Sequence, residues 1–304
     1  MRLVKGQHYL IVLALALIGV ILGAIFDKSI SEALYANGSL VNVGLIISNY
    51  ALLPFFIVIG LAASSSIYIL FKEKEKYHKV GRIILIIFFI LALGFAKYQE
   101  YDKLKDLGSV YGDTLGKVLA IVVLLLSLCL SILLAVKLYK KHDHTKIVNY
   151  SVIYAIIVLV SLLFAVAMKY LWSRPRPWYV FGDGITPSHL ADYRAIWEPR
   201  PFDAFSSSLA REYFKSFPSN HVNSSMMFLP ALLLYTKMNE KLDSSLARTL
   251  IFITAILLGV LVGLNRMLCG AHFLSDVSFG LLFSVSVTYF GFLGVDKVLK
   301  SYTR

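Results

Sequence analysis

The sequence predicts an all-α chain folded as a polytopic membrane helical bundle of about eight spans, and three observations carry that expectation. Of its 304 residues, 58% are hydrophobic, against roughly 45–50% apolar residues in an ordinary soluble domain, and the mean hydropathy is +0.72. Apolar runs recur at close to the length a bilayer demands, roughly 20 residues for each spanning helix. Lys and Arg gather at alternate ends of those runs, the pattern that short cytoplasmic loops impose.

The runs lie near Tyr9–Phe26, Leu52–Phe71, Val80–Ala96, Val118–Val136, Val148–Met168, Val222–Thr236, Thr249–Leu264 and Phe273–Val295. The sixth and seventh reach spanning length only by including polar residues at their ends. Phe26, Asp27 and Lys28 follow the first run where a small-residue cleavage site would stand, so that run is expected to remain as an anchor. With the N-terminus inside, the cytoplasmic segments carry 17 of the 30 Lys and Arg but only six of the 18 Asp and Glu. Both termini are therefore expected in the cytoplasm. The net charge of +12 is a topology signal, and no basic and aromatic module for nucleic acid accompanies it.

No internal repeat, low-complexity tract or Pro/Gly/Ser linker divides the chain, and Cys129 and Cys269 stand in neither metal-ligand nor disulfide spacing. The expected organisation is an N-terminal scaffold of about four spans over residues 1–147, then a chemistry-bearing half of about four spans over residues 148–304. That half contains the one long loop, residues 172–217, on the extracytoplasmic side. Within it, HLADYRAIW after Pro187 and LAREYFKSF after Ser206–Ser208 have helical apolar spacing. They read either as surface helices at the lipid headgroups or as a lid.

Three stretches at that outer end hold the reactive side chains. In KYLWSRPRP, Lys169 ends the fifth run, and Pro175 and Pro177 stop the helix so that Arg176 projects from a stiff turn. Arg174 and Arg200 read as interfacial cations. In PSNH, Ser219 is placed to cap the next helix, whose exposed first amides suit an anion, and His221 follows. In NRMLCGAHFLSD, Asn265 and Arg266 close the seventh run and Gly270 turns the chain. His272 and Asp276 then sit one helical turn apart on one face. Asp276 is expected to hold the imidazole by its Nδ1–H and leave Nε2 as a lone-pair nucleophile. Lys169, Arg176 and Arg266 around two histidines and one carboxylate suit the capture of a phosphate and its attack by an imidazole.

These residues resemble the three-part signature of the type 2 phosphatidic acid phosphatase (PAP2) superfamily, K-x6-RP, PSGH and SR-x5-H-x3-D, over Val148 to about Val295. The resemblance implies a PAP2-type catalytic core in the C-terminal half, in which His272 forms a phosphohistidine, Asp276 orients it and His221 protonates the leaving oxygen. Lys169, Arg176, Ser219, Asn220 and Arg266 would bind the phosphoryl oxygens. It implies a metal-independent enzyme with no cofactor, whose partners are membrane lipids and a lipid phosphate substrate such as undecaprenyl diphosphate, phosphatidic acid or phosphatidylglycerol phosphate. Two positions depart from the signature: Asn220 replaces the family Gly and Asn265 the family Ser. A lipid phosphotransferase using the same site, or a catalytically silent lipid-phosphate binding or transport protein, is the alternative. A metal site built from His221, His272 and Asp276 is disfavoured because three neighbouring cations would repel a divalent ion.

Overall fold

The computed structural model describes residues 6–35, 41–105, 112–181, 192–206, 211–239 and 244–302, and among them the secondary structure is helical with no strand. The helices are α1 (Gly6–Tyr35), α2 (Val41–Tyr50), α3 (Leu53–Lys72), α4 (Lys79–Lys105), α5 (Asp113–Lys141), α6 (His144–Trp172), α7 (Pro177–Phe181), α8 (Asp203–Ser206), α9 (Asn220–Met226), α10 (Phe228–Met238), α11 (Ser245–Leu268) and α12 (Leu274–Tyr302). Among the described residues, seven stretches are long and apolar enough to cross a membrane, from Gly6–Leu34 to Leu274–Gly294, which makes this a multi-pass membrane bundle.

Two prolines explain where this differs from the eight expected runs. Pro230 lacks an N–H and its ring meets the carbonyl four residues back, so the run at Val222–Thr236 breaks after Met226 into α9 and α10. Pro54 acts in the same way on Tyr50, where α2 gives way to α3. The second span thus begins at Val43, ahead of the expected Leu52. The first also runs on past Phe26 to Leu34, which puts Asp27 inside a helix.

The chain divides into two compact units that do not follow the expected boundary at residue 147. The first comprises Met1–Ala51, Leu159–Met227 and Ile253–Arg304; the second comprises Leu52–Val158 and Phe228–Phe252. The physical reason is helix packing rather than chain order: α1 lies along α12. A Cβ added at Gly19 would meet Ser278, and one at Gly23 would stand 2.7 Å from the Ser275 Cα. Small residues four apart let two membrane helices approach this closely.

In the first unit, Asn223 of α9 joins three helices. Its Oδ1 accepts from Ser161 Oγ of α6 at 2.6 Å and from Ser284 Oγ of α12 at 2.7 Å, and its Nδ2 donates to the Ser161 carbonyl at 3.2 Å. A buried amide satisfied on both sides fixes the depth of α9. Gly280 lets α9 seat, since a Cβ there would lie 2.9 Å from the Ser219 carbonyl oxygen.

In the second unit α3, α4 and α5 pack on one another, with Ala63, Leu70 and Phe89 forming one core and Ile69, Ile147 and Val148 another. Ser131 Oγ donates to the Ser127 carbonyl at 2.8 Å, and Lys97 Nζ donates to Glu100 Oε2 and Ser127 Oγ at 2.7 Å each. Asp143 starts α6, its Oδ1 accepting the Thr145 N–H at 2.8 Å.

The loop takes a different form from the expected helix pair. Residues 192–195 have no regular secondary structure and 196–197 form a turn, so the described part of HLADYRAIW is not helical; its residues 189–191 lie outside the described set. In LAREYFKSF only Arg211–Phe214 forms a short 3-10 turn, and Leu209 and Ala210 likewise lie outside.

Candidate active site

All three motifs lie in the first unit. The Ser173–Arg176 segment leaves α6 with Ser173 at φ 41°, and main-chain bonds hold it. The Arg176 N–H donates to the Tyr213 carbonyl at 2.9 Å, the Ser216 N–H to the Arg174 carbonyl at 3.1 Å and the Trp178 N–H to the Gly270 carbonyl at 3.0 Å. These bonds stitch the first motif to the segments carrying the other two. Lys169 Nζ donates to the Lys215 carbonyl at 2.6 Å, and the Arg176 guanidinium lies 5.2 Å from the Trp178 ring centre. Both cations are half-buried and held in place.

Ser219 occupies the N-cap position of α9, as its sequence context suggests, but its side chain makes no capping bond. Its Oγ is buried without a partner, and so are Asn220 Oδ1 and Arg266 Nε. Buried polar atoms are normally paired, so three unpaired ones on two of the three motifs mark a place for a polar ligand. The Ser219 N–H donates to the Asp276 carbonyl at 3.1 Å, which joins the start of α9 to α12. Asn265 does not face outward: its Nδ2 donates to the Leu261 carbonyl of its own helix at 2.8 Å.

The turn between α11 and α12 puts Gly270 at φ 64°, a left-handed conformation glycine adopts without Cβ strain. His272 follows, only 2% exposed. Its Nδ1 lies 2.6 Å from the Ser216 carbonyl oxygen, which can only accept, so Nδ1 carries the proton and Nε2 the lone pair. The expected direct bond to Asp276 is not made, since Nδ1 stands 3.9 Å from Asp276 Oδ2. The carboxylate instead accepts from Ser216 Oγ, from the Phe273 N–H at 2.9 Å and from Arg174 Nη1 at 2.6 Å. It acts on the imidazole through Ser216, whose hydroxyl it holds while that residue's carbonyl holds the ring. Burial first, then the charges of Lys169, Arg266 and Arg176, keep the His272 imidazole well below the usual histidine range. It is neutral at pH 7, the form a nucleophile requires.

Besides Ser216, the sequence reading missed four contributors. Arg174, read as an interfacial cation, is 0% exposed and bridges two carboxylates, Asp276 at 2.6 Å and Asp27 of α1 at 2.9 Å. Asp27 also accepts from the Ser275 main-chain N–H at 3.0 Å and from the Ser275 hydroxyl. From α2, Asn49 Oδ1 lies 3.2 Å from His221 Nε2, and Ser48 Oγ lies 3.4 Å from Arg266 Nη1. Helices α1 and α2 thus belong to the site rather than to a separate scaffold. The available signals were a carboxylate directly at the end of an apolar run, which needs a partner, and a second Arg in SRPRP.

The arrangement can hold a tetrahedral anion among three cations and present an imidazole lone pair to it. Among the described residues, no three His, Cys, Asp or Glu side chains converge as a metal-ligand set. Searches of curated proteins and of solved structures returned no match. The family model of the PAP2 superfamily matches residues 150–300, the stretch that carries all three motifs, and the chain belongs to the PAP2 superfamily.

Proposed function

We propose that this chain is an integral membrane phosphatase that removes a phosphoryl group from a lipid phosphomonoester or diphosphate through a phosphohistidine on His272. One observation carries the reading: a neutral imidazole with its Nε2 lone pair available, set among Lys169, Arg176 and Arg266, beside polar atoms of Ser219, Asn220 and Arg266 that lack partners. A half-turn of the Asn220 amide presents its NH2 in place of its carbonyl oxygen, so the replacement of the family glycine still offers a donor.

In the first step the His272 Nε2 lone pair attacks phosphorus, the P–N bond forms and the P–O bond to the lipid breaks. The leaving oxygen takes a proton from His221. His221 Nε2 lies 3.2 Å from Asn49 Oδ1, an acceptor that holds the Nε2–H and so orients the ring. In the second step water attacks phosphorus, gives its proton to His221, and the P–N bond breaks to regenerate His272 and inorganic phosphate. The three cations balance the charge that spreads over the phosphoryl oxygens in the transition state. Asp276, Arg174 and Asp27 keep the ring aligned. The Lys and Arg distribution supports an extracytoplasmic site, acting on lipids of the outer leaflet.

Purified full-length protein, assayed for phosphate release from a panel of lipid monophosphates and diphosphates with and without chelator, tests this. Release that is indifferent to chelator is expected. Tight binding with no release would identify a silent binding protein, and transfer to an added acceptor lipid without release would identify a phosphotransferase.

A further inference from the structure

The second unit contains a cavity of about 340 Å³ that the phosphatase reading does not use. Its walls come from α3, α5, α6 and α10, all inside that unit, and they are mostly apolar, including Val58, Leu61, Leu134 and Leu232. The volume falls within the range of small-molecule sites, roughly 300–1,000 Å³. Two features set it apart from an ordinary groove between membrane helices. First, Ser65 and Tyr154 line it while only 1% and 3% exposed, and neither Ser65 Oγ nor the Tyr154 hydroxyl has a hydrogen-bond partner. An unpaired hydroxyl inside a span is costly, because the bilayer core has no water to satisfy it. Second, Lys137 and Lys141, one turn apart on α5, line the same cavity from the basic end of the helices, together with His142.

Two acidic groups near that end, Glu73 and Asp143, are turned to other work. Glu73 Oε1 accepts from the Tyr139 hydroxyl at 3.1 Å and lies 3.2 Å from His144 Nδ1, and Asp143 caps α6. Neither lines the cavity. Ser65 lies seven residues from Lys72 at the end of α3, on the order of 10 Å down the helix at 1.5 Å per residue. Two hydroxyl donors among apolar walls, with a pair of lysines at the basic end of the same cavity, match the ester carbonyls beneath an acidic headgroup.

We infer that this cavity is a binding site for an acidic diacyl phospholipid, with its phosphate at Lys137 and Lys141, its ester carbonyls at Ser65 and Tyr154, and an acyl chain against the apolar walls. The inference rests on the second unit alone and is independent of the chemistry proposed for His272. A phosphodiester lipid such as phosphatidylglycerol tests it, because a phosphomonoesterase or diphosphatase does not consume that probe.

The experiment is native mass spectrometry of the purified full-length protein equilibrated with equimolar phosphatidylglycerol and phosphatidylcholine, counting retained lipid. One phosphatidylglycerol should be retained in preference to phosphatidylcholine. The surface variant Lys137→Gln/Lys141→Gln should lose about 30-fold in that preference, from roughly fivefold for each basic contact with an anionic headgroup. Tyr154→Phe separates the lipid site from a merely unpaired hydroxyl. It should weaken phosphatidylglycerol retention if the hydroxyl meets the lipid, whereas removal of an unused buried hydroxyl leaves retention intact and raises the melting temperature of the delipidated protein. Equal retention of both lipids, an unchanged preference in the lysine double variant, displacement by soluble glycerol phosphate, or intact retention in Tyr154→Phe would overturn the inference.

Discussion

Removal of the Asp27 carboxylate should disable the site from a position outside all three motifs. Asp27 accepts from Arg174 Nη2 at 2.9 Å, from the Ser275 N–H at 3.0 Å and from the Ser275 hydroxyl. Arg174, Ser275 and Asp27 are each 0% exposed, so no water replaces what is lost. In Asp27→Ala the guanidinium keeps Asp276 as its one carboxylate partner, beside the Ser275 hydroxyl and the Arg194 carbonyl, and the Ser275 N–H is left buried and unpaired. Breaking one partnership of a buried ion pair costs about 3–5 kcal/mol, a large share of the roughly 5–15 kcal/mol that holds a typical fold. Asp27→Asn keeps the size and part of the acceptor set, giving up chiefly a charge-assisted bond worth about 1.5–3 kcal/mol. The two variants should therefore lose thermal stability in that order. Freed from Asp27, Arg174 is expected to draw Asp276 away from Ser216 and shift the imidazole, and a misplacement on the order of 1 Å costs about 10²-fold in rate. Lys169, Arg176 and Arg266 do not touch Asp27, so kcat should fall with KM nearly unchanged. Melting curves and steady-state phosphate release on detergent-purified protein read both effects. A wild-type melting temperature and kcat in Asp27→Ala would refute the coupling.

Three further outcomes are expected. His221→Ala should slow poor leaving groups most, because a positioned acid contributes roughly 10²- to 10⁴-fold; equal losses on an aryl phosphate and a lipid phosphate, with chemistry rate-limiting for both, would remove His221 from the acid role. His272 should stay unprotonated through pH 6.5, since burial, Lys169, Arg266 and Arg176 all disfavour the imidazolium; the histidine resonance missing from His272→Ala should show no titration there by NMR. The sign for stability follows: below about pH 6.5 the unfolded chain binds a proton at this residue that the folded chain refuses, so stability drops as pH falls through that value. Gly280→Val would put side-chain atoms where a Cβ already stands 2.9 Å from the Ser219 carbonyl oxygen; vanadate binding should weaken as α9 is displaced, and wild-type affinity would show that α9 tolerates the shift.

Much of the site was legible because its chemistry sits in short local patterns. Lys169 to Pro177, Pro218 to His221 and Asn265 to Asp276 announce themselves by residue type and spacing, and the turn at Gly270 follows from glycine's left-handed freedom. Less legible was everything set by distant packing. Asp27 meets Arg174 across nearly half the chain, and Asn49 reaches His221 from α2, contacts with no local signature. The approach of α1 to α12 did leave one, Gly19 and Gly23 four residues apart, but such a stripe does not name its partner helix. The same limit misplaced the imidazole's acceptor: one-turn spacing puts Asp276 on the face of His272, yet a main-chain carbonyl from another segment, Ser216, takes the Nδ1–H. The prolines at 54 and 230 were visible, and their effect four residues upstream follows from the missing N–H; an apolar-run count passes over it.

The most direct measurement of the central claim is capture of the phosphoryl-enzyme. Wild-type protein incubated with a ³²P-labelled lipid phosphate and quenched in alkali should carry an acid-labile, alkali-stable phosphoryl group on His272, mapped by peptide mass spectrometry, and His272→Ala should carry none and show no turnover. Label on another residue, or full turnover by His272→Ala, would contradict it.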